Sequence, residues 1–186
     1  LMIGQVVAGY AITRKIGGGG MGAVYYGEHK TLGRPAAIKV LLPQFSNNPE
    51  VIQRFFNEAR STGLIRHPGL VDIFDFGTLP SGEAYLAMEY LQGEALSSRL
   101  RRTEKLSRDG ILHITRQLAL AVGAAHNKGI IHRDLKPDNI FLVYDEDLAQ
   151  GMRAKVLDFG VAKLTDHGGE QNAFQTNISA MIGTPR

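Results

Sequence analysis

The apolar periodicity of the chain changes once, near residue 91, and that change constrains the fold more than any other feature. Before it, segments 10–16, 23–28, 36–42, 71–76 and 84–90 are short, rich in β-branched, aromatic and apolar residues, and separated by turn formers, as strands are. One helix interrupts them. After Asn48 and Pro49, a cap and a first helical position, Val51, Ile52, Phe55, Phe56, Ala59 and Leu64 recur near helical spacing. Beyond residue 91, Ser107 caps a longer helix whose apolar stripe runs through Ile111, Leu112, Ile114, Leu118, Ala121, Val122 and Ala125, with Gly129 as its C-terminal stop. Three apolar runs follow, Ile130 with Ile131, 140–143, and Val156 with Leu157, too short for helices and placed like small strands around loops. Residues 165–181 are polar and follow neither period, as expected of a long functional loop or a disordered one. The expected fold class is α+β: a strand-rich unit over 1–90 with one helix, then a mainly helical unit over 91–186. No internal repeat is present.

A chain of 186 residues buries enough apolar surface for an ordinary core. Its net charge of +3 is spread along the whole length, without the Lys/Arg run of a nucleic-acid surface, so no nucleic-acid partner is expected. The densest basic group, Arg99, Arg101, Arg102 and Lys105, lies beside an amphipathic pattern and reads as a solvated helix face. The absence of cysteine excludes disulfides, cysteine-ligated zinc and thiol catalysis, and suits a reducing cytoplasm. No signal peptide or bilayer-length apolar stretch is seen, so no membrane contact is expected in this segment. The sequence opens on Leu1 and stops just after Gly183, Thr184 and Pro185 without tail-like composition, which leads to the expectation of a longer polypeptide.

The chemistry-bearing residues fall into five places. Gly17, Gly19 and Gly22 have G-x-G-x-x-G spacing; glycines let backbone amides approach phosphates, although a flexible turn explains the spacing equally well. A dinucleotide-binding fold would set a helix after them, whereas Ala23, Val24 and Tyr25 read as a strand, which favours a hairpin folded over phosphates. Lys39 sits in the apolar run 36–42, where its ammonium is costly to bury unless it meets anions, and Glu58 on the following helix supplies a carboxylate. Segment 131–140 carries Asp134, Lys136 and Asn139 within six positions of one loop: a proton acceptor, a cation for a moving phosphoryl group, and an amide oxygen for a hard cation. Asp158 follows a further short apolar run, as a magnesium ligand would.

Taken together in this order, these residues resemble the eukaryotic-like serine/threonine protein kinases, with features of the bacterial branch in the glycine loop and in 67–71. The resemblance covers nearly the whole chain. It implies a two-lobe kinase fold, strand-rich first and then a partial helical lobe that stops short of the family's later helices. It also implies ATP and Mg²⁺ as cofactors and protein serines or threonines as substrates. By this likeness Gly17, Gly19, Gly22 and Val24 form the glycine-rich loop, Lys39 grips phosphates while paired with Glu58, and Met88 is the gatekeeper. Glu89, Tyr90 and Leu91 form the hinge that meets adenine. Asp134 is the base or hydroxyl positioner, Lys136 faces the transferred phosphate, and Asn139 and Asp158 hold Mg²⁺. Arg133 before Asp134 marks the subtype ordered by a phosphate on the activation segment, where Thr176 and Ser179 are candidates, Thr165 a weaker one, and Thr184 steadies the catalytic aspartate. The six histidines lack metal-ligand spacing, and His132 reads as a packed structural residue. Two rivals stay open: a non-catalytic binding module on the same fold, which usually lacks one of Lys39, Asp134, Asn139 or Asp158, and a small-molecule phosphotransferase, which would lack Lys136. The expected location is the cytoplasm, either free or as the cytoplasmic part of a membrane-anchored protein.

Overall fold

The computed structural model describes residues 2–103, 105–148 and 151–158. Within them, six strands form one antiparallel sheet: β1 (Val6–Val7), β2 (Tyr10–Gly18), β3 (Gly22–His29), β4 (Pro35–Leu41), β5 (Ile73–Thr78) and β6 (Ala84–Glu89), in the order β1-β2-β3-β4-β6-β5. Helix α1 (Pro49–Gly63) crosses between β4 and β5 and lies on this sheet. The second part has a small antiparallel sheet, β7 (Gly93–Ala95), β8 (Ile140–Tyr144) and β9 (Met152–Val156), with helices α2 (Leu96–Thr103) and α3 (Arg108–His126). The expected order of a strand-rich unit with one helix, then a helix-containing unit, is the order observed.

Local chemistry accounts for the helix ends. The Asn48 side chain accepts from the Glu50 and Val51 amides at 3.1 and 3.2 Å, and Pro49 needs no amide partner in the first turn. The Ser107 hydroxyl accepts from the Gly110 amide at 3.1 Å. At the other end of α3, Gly129 takes a φ of +74° and its amide donates to His126 O at 2.8 Å, while the Ile130 amide donates to Ala125 O at 3.0 Å. This hydrogen-bond pair ends helices where a glycine can turn left-handed.

The apolar stripes choose the packing. Val51, Phe55 and Ala59 of α1 bury against Leu41, Ala84 and Leu86 of the large sheet, each such large side chain stabilising by roughly 1.5–3 kcal/mol. Ala121 and Ala125 of α3 are fully buried against Ile65, Leu70 and Val156, their small size allowing the helix to approach β9 closely. A separate cluster joins the two parts: Ile16, Val24, Ala37, Met88 and Leu91 meet Phe141 and Leu157. The strand edges are stitched as well, the Val156 amide donating to Gly69 O at 2.8 Å and the Val71 amide to Val156 O at 3.2 Å.

Some expectations fail locally. Leu64 lies past the last turn of α1 and is 71% exposed, outside the stripe it was assigned to. Ile130 and Ile131 form no strand, because the turn after α3 takes up Ile130 and Ile131 is solvent-exposed. The basic group on α2 is not wholly solvated: Arg99 and Arg102 both pair with the Glu94 carboxylate. No described helix is long and apolar enough to cross a membrane.

Candidate active site

The glycines form a hairpin. Gly17 and Gly18 end β2, Gly22 opens β3, and the Gly19 amide donates to Gly22 O at 2.9 Å. A Cβ on Gly22 would lie 2.8 Å from Val40 O, so glycine here is required by the approach of β4. Two residues on, Val24 is fully buried and pairs in register with Lys39 of β4.

Lys39 is 4% exposed, and its ammonium would be prohibitively costly there without anions. It has two: Asp158 Oδ1 at 3.2 Å and Glu58 Oε1 at 3.8 Å. The helix partner anticipated from sequence is therefore in place, and Asp158 joins it across 119 positions of chain. Burial alone would lower the Lys39 pKa, but the charges of Asp158 and Glu58 and the hydrogen bond to Asp158 turn the net shift upward. Glu58 is pushed up to about 8, first by burial; the Lys39 ammonium opposes this, and the Asp158 carboxylate adds to it. With Glu58 raised to about 8 it is largely protonated at neutral pH, so the Asp158 carboxylate balances the Lys39 ammonium there.

The loop 132–139 brings the other candidates together. Asn139 is buried, and its amide nitrogen donates to Asp134 O at 2.8 Å and to Asp134 Oδ2 at 3.3 Å. With Nδ2 committed, Oδ1 is the atom that Asn139 can present to a cation. Lys136 Nζ lies 3.0 Å from Asp134 Oδ2. Of the three described non-glycine residues with left-handed backbone, Ala8 lies away from this site, while Arg133 at φ +63° and Asp158 at φ +39° fall in its two segments.

His132 ties the two segments. It is 3% exposed, its Nε2–H donates to Leu157 O at 2.9 Å, and its Nδ1 accepts from the Asp134 amide at 3.3 Å, which sets the neutral tautomer. The packed role expected for it thus includes positioning the backbones that carry Asp134 and Asp158.

At the junction of the two parts, Met88 and Leu91 are buried beside Val24, Ala37 and Phe141. The Glu89 amide donates to Asp72 O at 2.8 Å. The Glu89 carboxylate does something the sequence reading missed: it pairs with Lys155 Nζ at 2.6 Å, and the same ammonium donates to Leu70 O at 3.4 Å. Lys155 precedes the apolar run of Val156 and Leu157 and is buried, so the argument from the cost of a buried ammonium applies to it as to Lys39. Thr165, Thr176, Ser179 and Thr184, with Phe159 and Gly160, lie outside the described residues.

The donor set suits magnesium. Asp158 and the Asn139 amide oxygen are hard oxygen ligands, too few for a protein cage; Mg²⁺ commonly binds through one or two such groups, completing its shell with water and phosphate oxygens. Among the described residues, no cluster of three or more His, Cys, Asp or Glu side chains offers an alternative site.

Known proteins share this arrangement. The chain matches the Protein kinase domain family over residues 10–186. It is 42% identical over 184 residues to the serine/threonine-protein kinase Pkn1 of Myxococcus xanthus, covering 99% of this chain and 25% of that protein. It is 41% identical over 169 residues to PknA of Mycobacterium tuberculosis, covering 88% of this chain and 38% of PknA. Among solved structures, a double mutant of the Mycobacterium tuberculosis PknI kinase domain superposes with a TM-score of 0.72 at 30% identity, over 89% of this chain and 64% of that one. The chain thus spans between a quarter and two-fifths of the length of these relatives. Its order of motifs, two-part architecture and sequence identities agree, and the chain belongs to the protein kinase domain family.

Proposed function

We propose that the chain transfers the γ-phosphoryl group of ATP to serine or threonine hydroxyls of proteins. The observation that carries this reading is the pairing of buried Lys39 with both Glu58 and Asp158, next to a loop in which Asn139 and Lys136 both contact the Asp134 carboxylate. The base of ATP fits the junction cluster, against Val24, Ala37, Leu91 and Phe141, with the Glu89 carbonyl and the residue 91 amide at its edge. Gly17, Gly19 and Gly22 fold over the phosphates and exclude water. Lys39 grips phosphate oxygens while Glu58 holds its ammonium in place. Asp158 and Asn139 would hold Mg²⁺, which neutralises phosphate charge when bound.

The Asp134 carboxylate orients the acceptor hydroxyl and takes its proton as the new phosphorus–oxygen bond forms and the bond from the γ-phosphorus to the bridging oxygen breaks, ADP leaving with that oxygen, and Lys136 beside it offsets charge on the moving group. Catalysis of this kind is mostly positioning, which explains why Asp134 is held by the Asn139 amide below and by His132 through its backbone. The Lys136 position favours serine and threonine acceptors. On the activation segment, Thr176 and Ser179 are the proposed sites of an ordering phosphate that would pair with Arg133, and Thr184 would support Asp134. The cytoplasm, where ATP is available, is the proposed location.

The test is Mg²⁺-dependent transfer from radiolabelled ATP to general protein acceptors, followed by phosphoamino-acid analysis, with Asp134→Asn in parallel. Label on serine or threonine that disappears in Asp134→Asn supports the proposal. Nucleotide binding without any transfer to protein would favour the binding-module reading, and transfer only to small hydroxyl compounds the phosphotransferase one.

A further inference from the structure

Beside α3, a cavity of about 260 Å³ opens between the loop after α1, the helix, the β8–β9 loop and the start of β9. Its polar walls are His67, His113, Arg116, Gln117 and Arg153, with Leu120 as an apolar wall, and among the described residues no acidic side chain lines it. None of these residues belongs to the site above.

Four of the five polar walls are fixed by hydrogen bonds to backbone or to a carboxylate. Gln117 is held at both ends, its Nε2 donating to Met152 O at 3.2 Å and its Oε1 accepting from the Ala154 amide at 3.1 Å. The His113 Nε2–H donates to the same Met152 carbonyl at 3.1 Å. Arg153 gives its Nε to Asp145 Oδ2, which anchors the guanidinium but leaves the two outer nitrogens. His67 accepts the Gly69 amide at Nδ1, 3.0 Å away, so its proton sits on Nε2 as a donor. Its pKa lies below the usual imidazole range, first because of partial burial and then because of the Arg153 charge, so it stays a neutral donor near neutral pH. Arg116, exposed on α3, has no hydrogen bond or ion pair among the described residues.

The geometry points to a binding site for a phosphoryl group carried on a small apolar body. Three donors remain after the internal bonds are counted: the Arg116 fork, the outer Arg153 nitrogens and the His67 Nε2–H. A carboxylate has two oxygens to offer such a set, while a phosphate monoester has three, each a strong acceptor, and its charge complements the Arg116 guanidinium, the Arg153 charge being partly balanced by Asp145. Leu120 takes the apolar body. Preformed walls of this kind lower the ordering cost of binding. The chemistry is shared by a free phosphate ester and by a phosphorylated serine or threonine side chain, the product class of the proposed reaction.

The test is an NMR titration of the isotope-labelled chain with phenyl phosphate and, separately, with a blocked phosphoserine amide, using benzoate and benzyl alcohol as controls. Expected are saturable shifts at residues 67–69, 113–120 and 151–153, weaker shifts with benzoate and none with the alcohol. Arg116→Gln, at an exposed position, should weaken phosphate-ester binding about tenfold, as loss of one charge-assisted hydrogen bond would. Tighter binding of phosphoserine amide assigns the site to phosphorylated side chains, and tighter binding of phenyl phosphate assigns it to free esters. Shifts confined to the glycine hairpin and Lys39, or binding to the cavity that Arg116→Gln leaves unchanged, would overturn the proposal. His67→Gln, which retains a donor, should weaken binding less than Arg116→Gln.

Discussion

The ion pair between Glu89 and Lys155 offers a quantitative test of how the two parts of the chain are held together. Glu89 ends the last central strand of the large sheet, and Lys155 lies three residues before Asp158 on β9. At a separation of 2.6 Å, two unit charges attract by roughly 6 kcal/mol at an effective dielectric of about 20. Desolvation of both ions offsets most of that, several kcal/mol per ion in a dry interior. The offset is incomplete here because the Glu89 side chain is 31% exposed and the Lys155 side chain 11%, so a net coupling of about 1–2 kcal/mol is expected. Lys155→Met should cost about 2–3 kcal/mol, since it leaves the Glu89 carboxylate without its cation and Leu70 O without its donor. Glu89→Gln should cost about 1–2 kcal/mol, because the amide oxygen can still accept from Lys155. The double variant should lose less than the sum, by the coupling energy. Urea unfolding of all four proteins, with the slopes unchanged, measures the cycle. A coupling below about 0.3 kcal/mol would mean that solvent already screens the pair, and the reasoning from burial and distance would be wrong.

Three further outcomes are expected. Lys39→Met removes the only described cation facing Glu58 and Asp158 and should lower the phosphoryl-transfer rate by about 10²-fold or more, read as kcat in a labelled-ATP assay. Gly22→Ala places a methyl carbon 2.8 Å from the Val40 carbonyl and should destabilise the chain by about 1–3 kcal/mol in urea, whereas Gly18→Ala, facing the flexible end of Lys15 at 3.3 Å, should cost less. The third outcome concerns pH. Burial lowers the His132 pKa in the folded chain, so below the ordinary histidine value the unfolded state binds the extra proton and the folded state resists it. Its stabilising contribution is therefore whole above about pH 6.5 and falls by up to about 1.4 kcal/mol per unit as pH drops below that. The stability difference between wild type and His132→Gln should shrink from pH 7.5 to 5.5, and a difference independent of pH would count against the neutral buried imidazole.

Much of this molecule follows from the chain as written. Asn48 with Pro49 and Ser107 start their helices because a side-chain oxygen and a missing amide act within one turn, and Gly129 ends α3 because only local backbone freedom is needed there. The roles of Lys39 and Glu58 were legible for a similar reason: a lysine in an apolar strand demands an anion, and the next helix carries one. Other features depend on closure of the whole chain. Leu64, Ile111 and Leu112 carry the apolar period but face solvent, since periodicity does not say where a stripe is covered. The three-residue β7 is too short to show a period and forms because β8 lies beside it. The partnership of Asp158 with Lys39, the amide of Asn139 turned onto Asp134, and the link from Glu89 to Lys155 span 119, 5 and 66 positions. The sequence could name the charges in these pairs, and for Asn139 the neighbourhood. Burial chose the partners, because a charge taken out of water must be met by whichever opposite charge or dipole the fold brings within bonding distance.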